Sequence, residues 1–226
     1  MGLKVYPLGL VEYGKALDLQ RKLSLVRKEN KISDTLLLLE HNPVFTIGRM
    51  GKQKEILVDR EKLTKEGIEV FEIERGGSTT YHGPGQLVGY PIINLKEIPC
   101  SAITFLRKLE EVLIDTLKDF KIDACTIKGK TGVWVNNAKI ASIGIHVSHW
   151  ITRHGFALNV CNPLHYFDMI IPCGMPDCMV TNVSNVINRH VQPNEMIAFI
   201  VDHFARIFNV EYTIVDEGIE DTAIIG

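Results

Sequence analysis

The chain has 226 residues, 46% of them hydrophobic and 23% charged, with a formal net charge of −2. This length carries one substantial core, so a single domain over residues 1–226 is expected; the composition excludes disorder, and the charge excludes the strong positive field of a general nucleic-acid binder. No stretch reaches the roughly 18 uninterrupted apolar residues that cross a bilayer, the start lacks a signal peptide, and five cysteines without a C-x-x-C pair read as free thiols, all pointing to a soluble, cytoplasmic protein with no membrane or nucleic-acid partner.

In chain order, Leu10 to Lys28 reads as a helix with a broad apolar side that includes Leu17, Leu23, Leu25 and Val26. Thr35 to Glu40, with four consecutive leucines, reads as a central strand ended by Asn42-Pro43, and Val44 to Ile47 as a second extended piece. Arg49, Lys52 and Lys54 read either as a solvated loop or as a local basic patch. Asp59 caps a short helix through Glu66, Gly67 breaks it, and Ile68 to Ile73 alternates like a strand. A glycine-rich turn, Gly76 to Gly85, leads into a strand from Leu87 to Leu95. Ser101 is the N-cap of a helix whose buried face runs from Phe105 to Phe120 at helical spacing. Gly132 to Val135 and Lys139 to Ser148 form a hairpin about Asn136-Asn137, because asparagine tolerates the positive φ of such turns. Phe156 to Val160 is a further strand, Pro193 opens the last helix, and Glu211 to Val215 closes the sheet. The expectation is α+β, with a mixed, mostly antiparallel sheet.

Nucleotide and metal signatures fail on spacing. Gly129-Lys130-Thr131 resembles the end of a P-loop, but the required first glycine falls at Ala124; after Gly83 and Gly85 the next glycine, Gly89, arrives one residue late for a dinucleotide fingerprint. His146 and His149 have no companion carboxylate at a ligand spacing. No cofactor and no metal are expected. Three other places offer chemistry. Arg75 through Gln86 interleaves glycines with a charge, hydroxyls and a titratable ring, which suits a ligand-facing loop as well as a structural turn. Cys173, between Pro172 and Gly174, is either a small buried hydrophobe or a loop thiol near backbone amides able to hold an oxyanion. As a nucleophile it needs a cation or base brought by the fold. Lys139 opens an otherwise apolar strand, as a snorkelling strand-end lysine or as that base.

Arg75-Gly76-Gly77, Thr80-Tyr81-His82, Gly85-Gln86 and Tyr90 resemble the hallmark stretch of the octanoyltransferases of lipoate biosynthesis. Gly132-Val133-Trp134, Lys139 to Gly144, His154 to Asn159 and Pro172-Cys173-Gly174 follow in that family's order, with the cysteine 34 positions after the lysine. The resemblance implies a fold similar to the catalytic domains of biotin and lipoate protein ligases and of class II aminoacyl-tRNA synthetases. It implies transfer of octanoyl from octanoyl-acyl carrier protein to a lysine of lipoyl domains, those of 2-oxoacid dehydrogenase E2 subunits and of the glycine-cleavage H protein. It further implies catalysis without ATP through a thioester on Cys173, with Lys139 as partner base. Arg75, Gly76, Gly77, Ser78, Thr79, Thr80, Tyr81, His82, Ser142, Ile143, Gly144, Gly155, Phe156 and Ala157 would then line the acyl and carrier site. An ATP-dependent ligase of the same fold is the nearest rival, and a silent carrier-binding module is a second.

Overall fold

The computed structural model describes residues 2–98 and 100–215. In chain order the elements are β1 (Gly2–Val11), α1 (Tyr13–Lys28), β2 (Asp34–His41), β3 (Val44–Ile47), α2 (Arg60–Glu66), β4 (Glu69–Glu72), β5 (Thr79–His82), β6 (Gln86–Ile92) and α3 (Ala102–Asp119). They continue with β7 (Cys125–Ile127), β8 (Lys130–Val135), β9 (Ala138–Ser148), β10 (Ile151–Asn159), α4 (Val183–Ile187), α5 (Asn194–Phe208) and β11 (Glu211–Ile214). Eight strands form one sheet in the order β11-β1-β2-β6-β10-β9-β8-β7, parallel at β11-β1 and β1-β2 and antiparallel elsewhere. A three-stranded sheet, β4-β3-β5, stands beside it. This is the expected mixed, mostly antiparallel α+β architecture.

The four-leucine run alternates across the large sheet as a strand must. Leu36 and Leu38 join the core under α3 and α5, with Phe105, Leu109, Val112 and Phe204. Leu37 and Leu39 face the other way, against Ala16 and Leu23 of α1 and Val88 and Tyr90 of β6. Phe45 and Tyr81 anchor the small sheet on Phe167 and Ile170. Ser101 caps α3 by accepting from the Thr104 amide, and Asp59 caps α2 by accepting from the Lys62 amide.

Three expectations need correction. Leu10 and Val11 belong to β1, and the helix begins only at Tyr13. A register shift between Pro7 and Gly9 accommodates both residues within the β1–β2 ladder. The glycine-rich stretch is not one turn: Thr79–His82 is a strand paired with β3. The strand expected from Phe156 begins at Ile151. As expected, the segment after α5 supplies the last strand, β11, at the sheet's edge beside β1.

Candidate active site

Lys139 and Cys173 meet. Lys139 Nζ donates to Cys173 Sγ at 3.0 Å, and Ser142 Oγ stands 4.0 Å from the same sulfur. Residues 139 and 142 are three apart, so a regular strand would turn them to opposite faces. The β8–β9 register explains the exception: Val133 pairs with Ala141 while Trp134 pairs with Lys139, leaving one extra residue on β9 between them. That bulge reverses the alternation and puts Lys139 on the side of Ser142.

The lysine stem needs room, and Gly132 provides it. A Cβ at Gly132 would lie 2.6 Å from Lys139 Cε and 2.6 Å from the Ala141 carbonyl, on a backbone with φ +122°. The buried Glu110 of α3 fixes this point by accepting from the Gly132 amide at 3.0 Å. Lys139 is only 4% exposed, and its ammonium sits 5.5 Å from the Trp134 ring centroid, a favourable cation–π distance.

Cys173 lies in a short 3-10 turn, Pro172–Gly174, with φ +55° and ψ +26°. A side chain in the left-handed region costs about 1–2 kcal/mol, so the surrounding contacts must enforce it. Upstream, the Ile171 amide donates to the Glu55 carbonyl at 2.7 Å. Downstream, the Lys139 amide donates to the Met179 carbonyl and the Thr181 amide to the Lys139 carbonyl. The amides of Gly174 and Met175 are spent inside the turn, on the carbonyls of Ile171 and Pro172. The backbone donors that the sequence suggested for an oxyanion at Gly174 are therefore engaged elsewhere.

Beside the sulfur opens a cavity of about 460 Å³, its open mouth included. Of the residues expected to line it, Arg75, Gly77, Ser78, Thr80, His82, Ser142, Ile143, Gly144, Gly155, Phe156 and Ala157 do so. Gly76, Thr79 and Tyr81 do not. Strand alternation in β5 turns Thr80 and His82 to the cavity and Thr79 and Tyr81 away, Tyr81 stacking on Tyr166 at 4.7 Å. Gly76 instead pairs with β9, its amide donating to the Ile145 carbonyl at 2.9 Å. Gly144 lets this segment approach: a Cβ there would meet the Gly76 carbonyl at 2.7 Å and Arg75 Cδ at 3.1 Å.

Electrostatically the wall combines one buried cation with neutral rings. Arg75 is 8% exposed and donates to the Thr46 carbonyl at 2.7 Å, to Thr46 Oγ1 at 2.8 Å and to the Gly76 carbonyl at 3.1 Å, while its Nε has no partner. Burial pulls its pKa down, but a guanidinium stays charged. Burial, aided by His41 and Arg75, holds His82 well below the ordinary imidazole range; its Nδ1 donates to Gln86 Oε1 at 2.8 Å. Burial lowers His41 to about 4, and its ring bridges the Val11 carbonyl and the Tyr90 hydroxyl, both at 2.7 Å.

Tyr13, Tyr90 and His154 complete the wall. None stood among the expected lining residues, although Tyr90 and His154 lie in the quoted motifs. His154 is 2% exposed, burial lowers it to about 3, and its Nε2 has no partner. With φ +56° it departs from regular strand geometry, and its amide donates to Gln20 Oε1 of α1 at 2.8 Å. Its place at the head of the motif His154 to Asn159 was the legible signal; nothing in the sequence around Tyr13 distinguishes it from a core aromatic.

The family profile described as the lipoyl protein ligase A/B catalytic domain matches residues 12–205. Among curated relatives, the octanoyltransferase of Caldicellulosiruptor saccharolyticus is 45% identical over 96% of this chain and 93% of its own length. That of Caldicellulosiruptor bescii is 48% identical over 92% of each. Among solved structures, a lipoate-protein ligase A bound with ATP superposes with a TM-score of 0.77 at 16% identity, covering 99% of this chain and 92% of its own. The biotin protein ligase of Aquifex aeolicus does so with a TM-score of 0.52 at 13% identity, covering 92% of this chain and 69% of its own. These two likenesses speak to the fold.

Proposed function

The chain belongs to the octanoyltransferases of the lipoyl protein ligase A/B family, and from that premise we propose that it moves octanoyl from octanoyl-acyl carrier protein to lipoyl-domain lysines through a thioester on Cys173. The observation that carries the reading is the 3.0 Å contact between Lys139 Nζ and Cys173 Sγ at the edge of the cavity.

In the first half-reaction the Cys173 thiolate attacks the thioester carbonyl of the donor. The tetrahedral intermediate collapses, the C–S bond to the carrier arm breaks, and the departing thiolate takes the proton of the Lys139 ammonium. In the second, a neutral acceptor lysine attacks the Cys173 thioester. Its nitrogen passes a proton to the Lys139 amine, and the amide forms as the Cys173 thiolate leaves. The starting pair is restored. The Arg75 guanidinium, with its unpartnered Nε in the wall, supplies positive charge toward the oxyanion that the turn's engaged amides do not.

Thioester exchange is near isoenergetic and aminolysis of a thioester runs downhill, so this route requires no ATP, metal or cofactor. The acceptors are lipoyl domains such as those of 2-oxoacid dehydrogenase E2 subunits and the glycine-cleavage H protein, and the reaction belongs to the cytoplasm. Among the described residues no helix is long and apolar enough to cross a membrane. The test is transfer from octanoyl-acyl carrier protein to a lipoyl domain with ATP removed by apyrase. Octanoyl-amide formation at an undiminished rate is expected. Strict ATP dependence, with AMP release on free lipoate, would instead mark a ligase.

A further inference from the structure

We propose that Glu55 is a positioning residue for Cys173, acting as the tie between the glycine-rich strand and the nucleophile's turn. Both of its ends are engaged. Its carboxylate oxygen Oε2 receives the Ser78 hydroxyl, the Thr79 amide at 3.1 Å and the Thr79 hydroxyl at 2.6 Å. Its own carbonyl receives the Ile171 amide at 2.7 Å, two residues before Cys173. The neighbouring Ile56 bridges Ile170, and the Leu57 amide donates to the Met169 carbonyl at 2.8 Å.

Two walls of the site are thereby set against each other. Ser78 lines the cavity, and a Cβ on Gly174 would lie 3.5 Å from its hydroxyl, so the strand and the turn touch at this point. The other support of the turn, the pairing of Met179 and Thr181 with Lys139, lies downstream of Cys173. Glu55 supplies the upstream support. Burial of the carboxylate opposes its charge, but the Ser78 and Thr79 donors outweigh it and hold the group below the ordinary carboxylate range, as an acceptor at neutral pH. Nothing in the chemistry needs Glu55 to touch substrate. Its effect comes through placement, where a shift of about 1 Å at the sulfur costs on the order of a hundredfold in rate.

The inference rests on Cys173 being the acyl carrier, and the experiment separates the two ideas. In the full chain, Glu55→Ala and Glu55→Gln are compared for iodoacetamide alkylation of Cys173 at neutral pH, for kcat and KM of octanoyl transfer, and for melting temperature. All three donors converge on one oxygen, so the Gln amide oxygen can replace it. Expected are an alkylation rate and a kcat about tenfold lower in Glu55→Ala with KM within about twofold, and recovery in Glu55→Gln to within about threefold. If Glu55→Ala does not fold, Thr79→Val removes one of the hydroxyl bonds while keeping the strand-compatible shape, and a smaller loss of the same kind is expected. Unchanged alkylation and kcat in the variants that fold, or Glu55→Gln as impaired as Glu55→Ala, overturns the proposal. A wild-type chain that takes up no octanoyl on Cys173 overturns the reading beneath it, whereas alkylation reports on the sulfur whatever the substrate.

Discussion

The two faces of the large sheet solve opposite problems. Under α3 and α5, side chains such as Leu36, Leu38, Phe105, Leu113, Phe156 and Phe204 make a continuous apolar core. On the other face, beyond Leu37 and Leu39, the same strands carry His41, Tyr90 and His154 into a buried polar group with Tyr13, His82 and Arg75. Burying polar groups is unfavourable unless they are bonded, and here Arg75 Nε and His154 Nε2 lack partners beside the cavity. The apolar face holds the fold together; the polar face spends part of that stability on a site. The difference explains why side-chain volume should govern one face, and charge and proton position the other.

Four perturbations sharpen that contrast. Lys139→Met keeps the volume of a buried stem and removes its proton chemistry. Octanoyl transfer is expected to fall about a thousandfold, in the range of a lost general base, with Cys173 alkylation at neutral pH slowed and the melting temperature little changed. Unchanged alkylation would return Lys139 to a packing role. Phe204→Ala on the apolar face should do the reverse, costing about 3–5 kcal/mol in urea unfolding while activity per folded molecule persists.

Acid should separate the faces next. His41 is held at about 4 and His154 at about 3, both below the ordinary imidazole value of 6.5. Between that value and the folded ones the unfolded chain binds protons that the native chain refuses, so stability falls as pH falls through this window. For His41 alone the loss is of order 3 kcal/mol by pH 4. Melting scans from pH 7 to 4 check it, and a His41→Gln variant should show a shallower slope if it folds. For Gly132→Ala, positive φ alone costs about 1–2 kcal/mol, and the 2.6 Å approach of the new methyl to the Ala141 carbonyl and to Lys139 Cε adds to it and displaces the ammonium. Transfer by this variant should fall more than its stability alone accounts for, as kcat measured on folded protein will show.

Much of this was legible in the chain. The leucine run, the Ser101-capped helix and the Asn136-Asn137 hairpin follow from period and turn chemistry, with both asparagines at positive φ. The first strand was not, because Pro7 and Gly9 imitate a break that pairing with β2 overrides. At the site, composition marked Arg75 to His82 as one block, and only the pleat of β5 divides Ser78, Thr80 and His82 from Thr79 and Tyr81. The bulge that turns Lys139 toward Cys173 is a register event between two strands, invisible to either alone. Glu55 drew no notice beside the basic run Arg49, Lys52 and Lys54, and its role depends on partners 23 and 24 residues away.

The central claim is that octanoyl rests covalently on Cys173 between donor and acceptor. Intact-mass analysis after mixing the chain with octanoyl-acyl carrier protein, without ATP, tests it most directly. One octanoyl adduct is expected, mapped to Cys173, labile to hydroxylamine, absent from Cys173→Ala and discharged onto a lipoyl domain added afterwards. An adduct that persists in Cys173→Ala, or one that forms only when ATP is supplied, would contradict the account.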